Sequence, residues 1–109
     1  GSGLKNTPRH LSIQDILDVI SDFYDVKLVD LLSKRRNKSI TMPRQVGMWL
    51  ARHHTRFSLE EIGGYFGGRD HTTVMHAIKS VNAKKSTNDQ LDQDLIRLQN
   101  QLTINLDES

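Results

Sequence analysis

The chain contains no cysteine, so disulfide staples and thiolate metal sites are excluded at the outset. No apolar run approaches the roughly 18 residues that a membrane span requires. The opening, GSGLKNTPRH, has no apolar stretch of the kind that makes a secretion signal. No segment alternates apolar and polar residues with period two over a useful length, which argues against half-buried strands. Repeats, low-complexity tracts and a G-x-x-x-x-G-K-[ST] loop for nucleotide phosphates are also missing. His71 and His76 are five positions apart, and His53 and His54 are adjacent, so neither pair has the i, i+4 spacing of a helical zinc site. What remains is a chain of 109 residues, one domain by its length. It is expected to be cytoplasmic, or a soluble piece of something larger, with no metal, no cofactor and no enzymatic activity of its own. Residues 1–11 read as a cloning scar (Gly1 to Gly3) and linker, 12–103 as the domain, and 104–109 as a flexible tail.

A net charge of +2 hides a strong polarity. Residues 27–56 hold eight bases (Lys27, Lys34, Arg35, Arg36, Lys38, Arg44, Arg52, Arg56) against one acid, Asp30, a balance of +7. Residues 12–26 carry four acids (Asp15, Asp18, Asp22, Asp25) and no base. Residues 87–109 carry five acids and one base, Arg97, a balance of −4. Such a molecule can take a polyanion on its central segment while its acidic ends face away.

Helical periodicity accounts for nearly all of the chain. Ile13, Ile16, Leu17, Ile20 and Phe23 follow helical spacing behind Ser12, a good N-cap. A short helix over 27–32 offers Leu28, Leu31 and Leu32, and SKRRNKSITM then reads as a polar, basic loop. Pro43 is expected to open the next helix in its first turn, where a missing N–H costs nothing. That helix would bury Val46, Trp49 and Leu50 and end near His54. Ser58 and Glu61 form an S-x-x-E capping box for a short helix that stops at Gly67-Gly68. Val74, Ala77, Ile78 and Val81 make one apolar face of the helix that follows. Thr87, with Gln90, is expected to cap a last helix carrying Leu91, Leu95, Leu98 and Leu102. The fold class is therefore all-α, a compact helical domain of about six helices.

Residues 58–66, the joint Gly67-Gly68 and residues 70–84 have the layout of a helix-turn-helix. In that motif the second helix lies in the DNA major groove and its first turn touches base edges. The apolar face would hold the helix on the core, while Arg69 to Thr73 are pushed outward as a reading head.

GGRDHTTVMHAI closely resembles the signature of the bacterial replication-initiator family DnaA, in its C-terminal DNA-binding domain. LLSKRRNKSITMPRQVGMWLAR, residues 31–52, resembles the basic loop and following helix of the same domain, in the expected order and distance. The resemblance runs from about Leu11 to Leu102. It implies binding to DnaA boxes, short duplex sites of the TTATNCACA type, at a replication origin. It also implies that the arginine of the Pro-Arg-Gln motif, matching Arg44, enters the minor groove beside the box. The reading residues of the signature match Asp70, His71, Thr72 and Thr73. Whole initiators of this family carry an ATPase module and assemble on DNA. ATP and oligomerisation are therefore expected of a full-length protein, and a monomer of the isolated domain. Two departures stand out: Gly47, where a better helix former is usual, and His53-His54, where Glu or Leu is typical. Both bear on local helix stability more than on DNA contact.

The chemistry of each residue is compatible with these roles and with plainer ones. A guanidinium on a stiff Pro-flanked backbone suits the negative potential of a narrow A·T-rich minor groove, or else a phosphate. Asp70 is either an N-cap or an acceptor for cytosine N4. His71 can donate to guanine, donate to a phosphate, or sit solvated. Thr72 and Thr73 can set a methyl on a thymine methyl or a hydroxyl on a phosphate, or one of them can bond within the first turn. Lys34, Arg35, Arg36, Lys38, Gln45 and Arg69 suit phosphates better than bases. Two other readings stay open. One is a protein or acidic-phospholipid interaction module built on the amphipathic segment 12–24, whose polar face is acidic rather than basic. The other is a related helix-turn-helix regulator of another operator.

Overall fold

The computed structural model describes residues 11–107, with side chains described as far as Thr103. The expected scar and linker lie outside the described residues, except Leu11, which is buried and belongs to the core. Six helices follow one another: α1 (Ile13–Tyr24), α2 (Leu28–Leu31), α3 (Lys38–His54), α4 (Leu59–Tyr65), α5 (His71–Lys85) and α6 (Asp89–Asp107). No strand occurs among the described residues. The backbone of 104–107 continues α6, so the tail expected from residue 104 is helical for its first four positions.

Local chemistry sets most of the boundaries. Ser12 and Asp15 form a reciprocal capping box at the start of α1, and Ser58 and Glu61 form one at the start of α4. Asp25 closes α1 in the left-handed conformation, at φ 54°. Two expected boundaries move. The cap of α6 comes from Asn88, whose Oδ1 accepts from the Leu91 N–H at 3.1 Å, rather than from Thr87. Helix α3 begins at Lys38, so Pro43 lies inside it and not in its first turn. The extra turn carries Ile40, which is buried, and burial of that side chain outweighs the backbone bond that Pro43 cannot donate to the carbonyl four residues earlier.

Helix α3 is the spine, packed against α1, α2, α4 and α5, while α6 lies against α1 and α5. Val46, Met48, Trp49, Leu50 and Ala51 of α3 meet Ile16, Leu17 and Ile20 of α1 and Val74, Ala77 and Val81 of α5 in one continuous core. Phe23 ends the apolar stripe of α1 but stays 37% exposed, edge-on to Tyr24. Gly47 has a packing reason. A Cβ there would stand 2.9 Å from the ring of Phe66, which is wholly buried. The helix forgoes roughly 1 kcal/mol of propensity and in return seats an aromatic ring between α3 and α4.

Candidate nucleic-acid interface

Three pieces of chain make the site: the α4–α5 joint, the first turn of α5, and the basic loop before α3. Both glycines of the joint have positive φ, 90° at Gly67 and 78° at Gly68, a conformation that side chains with a Cβ rarely accept. Gly67 also has no room for one, because a Cβ would stand 2.3 Å from the Leu32 carbonyl oxygen. Gly63, inside α4, is equally constrained, since its Cβ would stand 2.0 Å from the Arg69 carbonyl. The Arg69 N–H donates to the Gly63 carbonyl at 2.8 Å and closes the turn. The Gly63-Gly64 pair inside so short a helix was the available signal for this contact.

Asp70 is the N-cap of α5. Its Oδ1 accepts from the Thr73 N–H at 2.9 Å and from the Thr73 hydroxyl at 2.8 Å. Those two bonds, the backbone one first, hold the Asp70 carboxyl below the usual carboxylate range, and His71 adds a smaller favourable charge. Of the two threonines, Thr73 is the one that bonds within the first turn. Asp70, His71, Thr72 and Thr73 are all exposed, and Val74 directly behind them is buried. The helix is thus anchored by one face while its polar tip projects.

The basic loop places Lys34, Arg35 and Arg36 in solvent and α3 opens on the exposed Lys38, with Gln45 half-buried behind them on α3. Arg35 lies 4.0 Å from Asp30, a loose and largely exposed pairing that adds little.

Two expected DNA ligands are turned inward. Arg44 is 6% exposed. Its Nε donates to the Leu31 carbonyl at 2.8 Å, Nη1 to Arg35 at 3.0 Å, and Nη2 to Asp30 at 3.2 Å and Ser33 at 3.0 Å. Burial, and then the nearby Arg69 charge, lower its pKa from the ordinary arginine value. Carbonyl dipoles compensate this guanidinium, which has no carboxylate partner among the described residues. A minor-groove arginine must reach past the protein surface, whereas in this structure all three Arg44 nitrogens are engaged beneath the loop. Arg69 is half-buried. It donates through Nη2 to the Ser33 carbonyl at 2.6 Å and through Nη1 to the Phe66 carbonyl. In this arrangement Arg69 is occupied within the fold rather than offered to a phosphate. The acceptors of both arginines are backbone oxygens, which leave no mark on a side-chain pattern.

No group of three or more His, Cys, Asp or Glu that could hold a metal ion occurs among the described residues. None of the helices searched is long and apolar enough to cross a membrane.

Residues 13–81 match the sequence profile of the family described as bacterial dnaA protein helix-turn-helix. Over 87 residues the chain is 46% identical to the chromosomal replication initiator protein DnaA of Leptothrix cholodnii, covering 80% of this chain and 17% of that protein. Over 92 residues it is 48% identical to the protein of the same name from Caulobacter sp. (strain K31), covering 84% and 19%. A solved structure of a DNA replication initiation factor superposes with a TM-score of 0.77 at 34% identity, covering 86% of this chain and 29% of that one. The chain therefore spans less than a fifth of the length of these two curated relatives. With the fold, the glycine joint and the signature in place, the chain belongs to the bacterial DnaA helix-turn-helix family.

Proposed function

We propose that this chain binds duplex DNA sequence-specifically at sites of the DnaA-box type and so serves the initiation and regulation of chromosomal replication. The observation that carries the reading is the projection of Asp70 to Thr73 from a buried anchor, beside a loop that exposes Lys34, Arg35 and Arg36. The first turn of α5 enters the major groove. His71 and Thr72 reach base edges, and Asp70 can offer cytosine N4 its second oxygen, which has no hydrogen bond among the described residues. Thr73, its hydroxyl hydrogen given to Asp70, retains a methyl for a thymine. Lys34, Arg35, Lys38 and Gln45 face phosphates. The minor-groove role passes from Arg44 to Arg36, the loop arginine that is exposed and has no acidic partner among the described residues.

An acidic lipid surface suits the chain less well, because α1 turns Asp18 and Asp22 to solvent and its C-cap, Asp25, is exposed as well. Nucleotide binding and assembly of a whole initiator belong, in this reading, to segments other than this chain. A fluorescence anisotropy titration with a consensus box and a scrambled duplex, at two salt concentrations, tests the proposal. The box should bind about a thousandfold tighter. His71→Ala should cost about 1–3 kcal/mol on the box and much less on the scrambled duplex. Equal affinity for the two duplexes would overturn the reading.

A further inference from the structure

One backbone oxygen collects both inward-turned arginines. The Ser33 carbonyl accepts from Arg44 Nη2 at 3.0 Å and from Arg69 Nη2 at 2.6 Å. Arg44 belongs to α3, Arg69 to the α4–α5 joint and Ser33 to the basic loop, so three separate pieces of chain converge on a single atom. Gly67 makes the same connection by shape, with its missing Cβ leaving space for the Leu32 carbonyl. The loop is thereby tied to the floor on one side and to the reading head on the other. No exposed cation is consumed in doing so.

We propose that Arg69 and Arg44 are positioning residues that make the basic loop and the first turn of α5 one two-armed reader of fixed span. The chain then discriminates the number of base pairs between the two parts of its site as well as the bases in each. The proposal rests on the DNA-binding reading above.

An inserted base pair moves the far part of a site along the axis by about 3.4 Å and rotates it by roughly 35°. An arm on a flexible tether follows such a shift. An arm held by charge-assisted hydrogen bonds must break them to follow it. The bonds suit a guanidinium in particular, because one planar fork spans carbonyls on two segments, at Phe66 and Ser33. An ammonium on the same stem carries the charge without the span.

The test is competition anisotropy with three duplexes: a consensus box, the same box with one base pair inserted between its A·T-rich and CACA parts, and a scrambled control. For the unaltered protein the insertion should weaken binding about tenfold or more, comparable to mismatching a contacted position. In Arg69→Lys, affinity for the intact box should fall about tenfold, the scale of one lost charged hydrogen bond, while the insertion penalty shrinks to a few-fold. Amide exchange at residues 33–37 of the free variant should accelerate while α1 and α6 keep their protection. On scrambled DNA, Arg69→Met should leave the slope of log K against log salt unchanged. A slope lower by about 0.9 would make Arg69 a phosphate ligand and overturn the proposal. An Arg69→Lys insertion penalty equal to that of the unaltered protein would overturn it as well. The unaltered protein is informative without any variant, since tolerance of the insertion within twofold would also sink the idea. Preference for the box with tolerance of the insertion removes only the fixed span. Loss of preference for the box removes the DNA-box reading itself.

Discussion

Arg35 and Arg36 lie in solvent on the basic loop, and Arg44 and Arg69 lie beneath and beside it with their nitrogens on backbone carbonyls. The residue type and the stretch of surface are the same, yet the energetics are opposite. On the loop a guanidinium is hydrated and open to an anion. Under the loop it has lost its water and is stabilised only by fixed dipoles. Removing an exposed arginine should change affinity and leave the fold alone, whereas removing a buried one should change the fold first. Positive charge in a sequence therefore marks two different things, a solvent-facing surface and the scaffold beneath it.

Thermal melting and DNA titration break the comparison in order of effect. Arg44→Met removes four hydrogen bonds, two to α2 carbonyls and two to loop carbonyls, and should destabilise the domain by about 3 kcal/mol or more, a fall of over 10 °C at about 4–8 °C per kcal/mol. A change of a degree or two would show that Arg44 does not support the loop. Gly67→Ala comes next, at about 2 kcal/mol, from left-handed strain plus the close approach to Leu32. The triple change of Lys34, Arg35 and Arg36 to Ala should move the melting point little, within about 0.5 kcal/mol. It should flatten the salt dependence of binding by about 0.9 per lost phosphate contact, and an altered base preference at constant slope would refute the assignment of the loop to the backbone. The smallest effect is on Asp70→Asn, since asparagine caps as well as aspartate. Because hydrogen bonds depress the Asp70 pKa, its ionised cap stabilises the fold above the ordinary carboxylate range and loses that contribution as pH falls through the depressed value. Melting curves of the two proteins should coincide at neutral pH and separate only in acid.

Short-range chemistry was legible in the sequence. Ser12, Ser58 and Asp70 each cap over three residues. The glycine joint needs the positive φ that only its residue type accepts freely, and the apolar face of α5 lies where its spacing put it. Long-range compensation was not legible. Pro43 looked like a helix start because its cost is local, while the burial of Ile40 that moves the start to Lys38 depends on the whole core. Gly47 looked like a weakness until the Phe66 ring, nineteen positions on, was found against it. Arg44 was expected in the minor groove from its Pro-Arg-Gln motif, and its inward turn was not legible because its partners are carbonyls, and every residue has one. The exposed first turn of α5 is written in side chains and could be found by them. The ties that hold it to the loop are written in backbone.

Trp49, the chain's only tryptophan, gives the molecule an internal optical probe. The indole is 4% exposed, donates to Asn82 Oδ1 at 2.8 Å, lies 5.6 Å from the Lys85 ammonium and meets the His53 ring at a centroid distance of 3.9 Å, tilted by 52°. Burial, and then the charges of His54, Lys85 and Arg52, keep the His53 pKa below the ordinary imidazole value, so this ring is neutral at neutral pH. A protonated imidazole quenches an excited indole in contact with it, whereas a neutral one does so weakly. Emission should therefore dim on mild acidification, in a step that His53→Gln abolishes. His53, Asn82 and Lys85, which meet this ring, are not among the side chains assigned to DNA, so emission that stays constant through a titration with duplex would be the optical signature of a rigid scaffold.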